Sequence, residues 1–401
     1  MRRLVWITLC LVACGDESHR VPYQGTPGQA VTLDLSGWVP HIEAHVGSKS
    51  VIALLDTGAP ITVVTPAVAG TTGQTRLPLQ AFGLTFPDLQ VLAASLFATD
   101  DVCERLEPTA LVGGNLLREF QLGLDYRGKR GFLLDGGEPP AATETIASTT
   151  VVPVEVMGGG VVQLQGSTDT IPVGTTRVVL SKANVEGIDH TAVVDTGASF
   201  VVVRGKLYDS LGDAARPRLC CTAVGTLYGT VKAAIGRLKQ LSLGGATVKN
   251  LPVLIWDDSA PFDAISREIG QEVNLLVGGS FLRHFDLYLD YEGQTLELGR
   301  YAQQDHVDPD EFVGPGFTLC KAAKAGEGMV VVDVFDQSSA KSAGIRSGDR
   351  LIMVQGQSVV GMTAEQAQDL LRGALGSSVD LIFAGAVKKT VQVERLLPDY
   401  L

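Results

Sequence analysis

The sequence predicts a mainly β chain: two similar β-barrel lobes, then a small β-rich module carrying two helices. Three observations predict it. The 401 residues include 46 glycines and are 45% apolar but only 19% charged, so the chain can bury several cores and turn often between strands. A strand-like segment and the turn that follows it occur twice, far apart. The C-terminal stretch then changes pattern, with short strands alternating with a capped helix. At about 150 residues per domain, the length suits two or three units.

Charge removes one large class of function. Lys plus Arg is 32 against 44 for Asp plus Glu, a balance of −12, whereas a nucleic-acid backbone binder needs a basic surface. No apolar run reaches the roughly 18 residues of a spanning helix.

The first residues read as an address. Met1-Arg2-Arg3 is basic, and Leu4 to Ala13 is an apolar run too short to cross a bilayer, as in a secretory signal. Leu11-Val12-Ala13-Cys14 resembles the lipobox of bacterial lipoproteins. That resemblance implies removal of residues 1–13, lipidation of Cys14, and a protein held on the exported side of a bacterial envelope membrane by lipid alone. An ordinary signal with an incidental cysteine is the alternative. Loss of Arg2 and Arg3 leaves a balance of −14 (30 − 44). Residues 14–33, largely polar with Gly and Pro, read as a tether.

Cys103, Cys220, Cys221 and Cys320 remain in an exported chain, where disulfides persist. They allow two bridges, but spacing does not fix the pairing. With no C-x-x-C pair and no H-E-x-x-H, neither a metal site nor a cofactor is expected.

The repeat carries the chemistry. Val51 to Leu55 leads into Asp56-Thr57-Gly58, and Thr191 to Val194 leads into Asp195-Thr196-Gly197, 139 residues later (195 − 56). Downstream, Leu111-Val112-Gly113-Gly114 matches Leu276-Val277-Gly278-Gly279, 165 residues apart (278 − 113), so the second copy is 26 residues longer (165 − 139). Each copy then runs into a Leu-Asp-Tyr-x-Gly hairpin, at Leu124–Gly128 and Leu289–Gly293. One Asp-Thr-Gly is weak evidence. Two, each after an apolar strand and each followed by the same Gly-Gly and hairpin, form a specific pattern.

Over residues 34–302 these motifs resemble the pepsin and retropepsin class of aspartic proteases, and most nearly retropepsin-like lobes fused in tandem. The resemblance implies an N-terminal lobe over 34–140 and a C-terminal lobe over 150–302, which meet at a pseudo-twofold axis. It assigns Asp56 and Asp195 as a catalytic dyad sharing one proton, since two adjacent carboxylates resist double ionisation. Thr57 and Thr196 would hydrogen-bond across the axis, and Gly58 and Gly197 would permit close approach of backbone amides to the carboxylates. The family's hydroxyl two residues after the glycine is present as Ser199 but replaced by Pro60 in the first copy. A donor to one carboxylate alone would make Asp195 the more readily ionised partner and leave the proton on Asp56.

The extra residues of the second copy, around Cys220 to Val231, alternate with glycines like the substrate-covering flap of that family. A single flap from the second lobe is expected, with Gly225 and Gly229 at its turn and Tyr228 either its aromatic contact or an ordinary strand residue. Such a lid excludes water from the dyad.

After a polar linker over 303–311, residues 312–397 resemble a bacterial PDZ domain. Ala343-Gly344-Ile345-Arg346-Ser347-Gly348-Asp349-Arg350-Leu351 is the specific string. Thr363-Ala364-Glu365-Gln366 reads as a capping box, with Ala367, Leu370, Leu371 and Ala374 on one face of the helix that follows. The resemblance makes Gly314-Pro315-Gly316-Phe317 a carboxylate-binding loop for a peptide C-terminus, unless it is only a strand lead-in.

The sequence therefore predicts a monomeric, envelope-tethered aspartic endopeptidase. Its partners would be protein or peptide substrates, with a PDZ module binding peptide ends or regulating access. The competing reading is a catalytically silent lipoprotein that binds peptides through cleft and groove.

Overall fold

A computed structural model describes residues 20–96, 103, 109–163, 170–212, 216–226, 229–302, 312–324 and 326–398. The expected signal, Cys14, the linker 303–311 and Tyr228 lie outside them. The chain is mainly β, with two lobes and a smaller third unit.

In the first lobe, six strands close a barrel: His41–Val46, Lys49–Leu55, Ala110–Val112, Val63–Val64, Leu84–Ala93 and Gly73–Ala81. Alternation sets its inside, since Ile42, Ala44 and Val46 are buried while Glu43 and His45 face out. The short strand Ala110–Val112 inserts between Lys49–Leu55, to which it is parallel, and Val63–Val64, to which it is antiparallel. The second lobe repeats that insertion. Leu275–Val277 lies parallel to Ile188–Val194 and antiparallel to Val201–Arg204.

Both inserted strands end on the Gly-Gly motif, and its first glycine is sterically required. A Cβ on Gly113 would lie 2.5 Å from the Ile61 carbonyl oxygen, and one on Gly278 2.3 Å from that of Phe200. The residue after each motif locks the facing segment. Asn115 Oδ1 accepts from the Thr62 amide at 2.7 Å, and Ser280 Oγ accepts from the Val201 amide at 2.9 Å.

A six-stranded sheet joins the lobes, in the order Val31–Thr32, Arg130–Leu134, Gln121–Asp125, Phe285–Asp290, Thr295–Tyr301 and Ile146–Pro153. Its central pair, one strand from each copy, is antiparallel with Asp125 opposite Asp286. In each Leu-Asp-Tyr-x-Gly hairpin the Asp caps the turn: Asp125 accepts from the Gly128 amide and Asp290 from the Gly293 amide, both at 2.8 Å. One hydrophobic core runs through both lobes.

Residues 20–33 of the expected tether are not a free tether. From Arg20 the chain lies on the first lobe, because it carries groups that pay for ordering there. Tyr23 packs on Phe86 and Phe120 and donates to Asp135, Gln24 exchanges backbone hydrogen bonds with Thr85, and Val31–Thr32 is a strand of the inter-lobe sheet.

The C-terminal unit is a small sheet of Phe317–Lys321, Met329–Val334, Arg350–Val354, Ser378–Phe383 and Val387–Gln392, with helices Ser339–Ser342 and Ala364–Leu370. The capping box forms: Thr363 Oγ1 accepts from the Gln366 amide and Gln366 Oε1 from the Thr363 amide. Ala367 and Leu371 are buried as expected, but the helix stops at Leu370, so Ala374 lies beyond it.

Candidate active site

The two Asp-Thr-Gly loops meet between the lobes. Each Asp leaves a core strand at an equivalent point, since the Asp56 amide donates to Val112 O and the Asp195 amide to Val277 O, both at 3.0 Å. The threonines cross over. Thr57 N donates to Thr196 Oγ1 (3.0 Å) and Thr196 N to Thr57 Oγ1 (3.1 Å), while the two hydroxyls donate to Val194 O (2.8 Å) and Leu55 O (2.7 Å). All four bonds are buried and join one lobe to the other.

The glycines let the carboxyls come together. A Cβ on Gly58 would stand 2.3 Å from Asp195 Cγ, and one on Gly197 2.4 Å from Asp56 Cγ. With those positions bare, the Asp56 and Asp195 carboxyls are within hydrogen-bonding reach of one another. Asp56 Oδ1 accepts from the Gly58 (2.8 Å) and Ala59 (3.0 Å) amides, and Asp195 Oδ1 from the Gly197 amide (3.1 Å).

Burial, then repulsion from Asp195, pushes Asp56 well above the usual carboxylate range. Burial raises Asp195 as well, against the pull of hydrogen bonding from Asp56 and of the Arg177 charge. Both carboxyls are thus held toward the protonated form, Asp56 more strongly, but the hydroxyl expected to set the two apart makes no such difference. Ser199 makes no hydrogen bond to Asp195 and stands instead beside the backbone at Gly37. The missing hydroxyl at Pro60 therefore creates no difference between the two loops.

Arg177 carried no motif and was not legible as a site residue. It opens the first long strand of the second lobe, is 3% exposed, and reaches across to donate to the carbonyl of Gly58. Its Nε and Nη2 grip Glu268 at 3.1 and 3.0 Å. This fixed cation pulls both dyad carboxyls toward ionisation.

The dyad opens onto a cavity of about 620 Å³, within the range of ligand sites. Its walls include Leu54 and Leu111 of the first lobe and Ile235, Leu254 and Trp256 of the second. Arg218–Thr226 and Gly229–Leu243 pair as an antiparallel hairpin, with Gly225 opposite Thr230 and Thr226 opposite Gly229. Thr222 and Val224 line the cavity. The hairpin is also tied to the C-terminal unit: Thr222 Oγ1 donates to Asp333 at 2.7 Å and the Asp336 amide to Cys220 O at 3.2 Å.

Gly314, Pro315, Gly316 and Phe317 line the same cavity. The C-terminal unit is held there by packing of Phe335 and Leu397 into a second-lobe core and by a disulfide from Cys320 to Cys103 of the first lobe, with Cα atoms 5.6 Å apart. Cys220 and Cys221 form the other bridge. No group of three metal-ligating side chains occurs among the described residues, and no helix among them is long and apolar enough to cross a membrane.

Two β lobes presenting paired Asp-Thr-Gly loops, with a module set against their cleft, define the class. The family model for aspartyl proteases matches residues 181–281, within the second lobe, and a PDZ domain model matches residues 330–384. The chain therefore carries an aspartyl protease domain and a PDZ domain. No curated protein matches it.

Proposed function

We propose that the protein is an aspartic endopeptidase that hydrolyses peptide bonds with a water held between Asp56 and Asp195. The observation that carries this reading is the contact of the two carboxyls, one from each lobe, at the edge of a cavity large enough for a peptide. Asp195, as carboxylate, takes a proton from the water while Asp56 donates its own to the scissile carbonyl oxygen. Water oxygen bonds to the carbonyl carbon, the C–N bond breaks as the leaving nitrogen takes the proton held by Asp195, and a hydroxyl on the former carbonyl carbon returns a proton to Asp56. A new carboxyl and a new amine result.

Thr57 and Thr196 hold the loops in register, Gly58 and Gly197 permit the carboxyl contact, and Arg177 keeps one carboxyl ionised. The hairpin around Gly225 and Gly229 covers the cleft and removes water from it. Because both lobes belong to one chain, a monomer suffices. The pattern at residues 1–14 supports a lipid anchor on Cys14 and an envelope location, and Cys14→Ser should move the protein from the membrane to the soluble fraction.

The decisive experiment incubates the chain from residue 15 onward with a diverse peptide pool between acid and neutral pH. Mass spectrometry should find internal cleavage that Asp195→Asn and Asp56→Asn each abolish. Binding without cleavage by the unaltered chain would instead identify a silent peptide-binding protein.

A further inference from the structure

We propose that the carboxylate-binding loop of the PDZ domain is a subsite of the proteolytic cleft. The substrates would then be protein tails with a free α-carboxylate and an apolar last residue, cut a constant number of residues from their end. This rests on the proteolytic reading above and adds to it the chemistry of the substrate.

Asp56 and Asp195 line one cavity together with Gly316, Phe317, Leu371 and Arg372. Gly314, Pro315, Gly316 and Phe317 are all buried in the whole molecule, so the loop does not face the outer surface. The space before it is the space that holds the dyad.

The loop's position relative to the dyad is fixed by aromatic contacts. Trp38 of the first lobe meets Phe200 edge-on at 4.9 Å, and Phe200, five residues after Asp195, meets Phe312, two residues before Gly314, at 6.3 Å. A pocket set at a fixed span from two reacting carboxyls measures length.

Its chemistry suits a chain end. Gly316 is left-handed (φ +91°), and a Cβ there would lie 2.1 Å from that of Ser338, so the turn admits only glycine. Turns of this kind aim backbone amides at an anion, and since Pro315 has no N–H the donors here are Gly316 and Phe317. Arg372, exposed and paired with Asp369 at 3.4 Å, adds a cation, while Phe317 and Leu371 offer an apolar wall to a terminal side chain. Phe317–Lys321 is the edge strand of its sheet and can accept a tail as an added strand. Just past that edge, at Ala322, Cys103 of the first lobe already pairs with the chain, so the open edge is bounded at one end by the loop and at the other by the first lobe.

The test uses the chain from residue 15 onward and one degenerate pool of 16-residue peptides ending in an apolar residue, made as free acids and as C-terminal amides. With the free acids, Asp195-dependent cuts should fall at one distance from the C-terminus, and amidation should lower their rate at least tenfold. The exposed substitution Arg372→Glu should lower the ratio of acid to amide cutting several-fold. Equal rates and equal cut positions in both pools would overturn the chain-end proposal while leaving proteolysis standing. If neither pool is cut, proteolysis fails, and binding of the fluorescently labelled pools to Asp195→Asn decides the remainder. A tenfold preference for acid over amide supports recognition of the chain end, and equal binding overturns it.

Discussion

Thr57 and Thr196 each donate a backbone amide to the other's hydroxyl across the lobe junction. Because each hydroxyl also donates onward to the opposite strand, Thr57→Val leaves a buried amide and a buried carbonyl without partners. The expected cost is about 1–3 kcal/mol. It should appear as a lower thermal midpoint together with loss of cleavage, and Thr57→Ser should recover both.

Arg177 predicts a pH signature. It draws both dyad carboxyls toward ionisation, so Arg177→Met should move both limbs of the pH profile of kcat/KM upward. Arg177→Lys, which keeps the charge but not the two-pronged grip on Glu268, should leave the limbs closer to their original positions. A profile unmoved by Arg177→Met would remove the guanidinium from the electrostatics of the dyad.

Two facing aspartates in the inter-lobe sheet respond to pH in opposite senses. Asp125 accepts from the amides of Gly128 and Thr143, the Thr143 hydroxyl, Arg130 and Tyr301, and these bonds outweigh burial to hold it down at about 2. Its stabilisation is present above pH 3.8 and lost as pH falls toward 2, so Asp125→Asn should cost roughly 2 kcal/mol at neutral pH.

Asp286, opposite it, is raised to about 7 by burial and then by Asp125. The folded chain keeps a proton that the unfolded chain releases near pH 3.8, so stability falls as pH climbs from there to about 7. Asp286→Asn should match the unaltered protein at pH 3.5 and exceed its stability at pH 8, on the order of a few kcal/mol. Denaturant midpoints across that range measure both variants.

The Thr222–Asp333 bond ties the cleft-lining hairpin to the PDZ domain. A hydrogen bond to a charged group is worth about 1.5–3 kcal/mol, so Asp333→Ala should speed amide exchange in Arg218–Thr226 by roughly tenfold or more. Unchanged exchange would mean that the Thr222–Asp333 bond does not hold the hairpin, which the Asp336–Cys220 bond and its own lobe then keep in place.

What the sequence revealed and what it hid divide along physical lines. The paired Asp-Thr-Gly loops, the Gly-Gly motifs and the Asp-capped hairpins were legible because each is a local backbone demand, such as the clash that any side chain at Gly113 or Gly278 would meet. The PDZ string and its capping box were legible for the same reason. Arg177 was hidden because a lone arginine at a strand start has no local signature, and its role arises only when Gly58 arrives from the other lobe. Ser199 misled in the other direction, since a residue at the expected position makes no bond to the carboxylate. The docking of the PDZ loop on the cleft depends on Phe312, Phe335 and Leu397, which read in sequence as ordinary apolar residues.

The bond between Cys103 and Cys320 has a topological consequence. Every peptide bond from residue 103 to residue 320 lies inside a covalent ring, the linker 303–311 included. A single cut within the ring opens it without releasing a fragment. Damage of that sort would go unseen on a gel until a reductant was added.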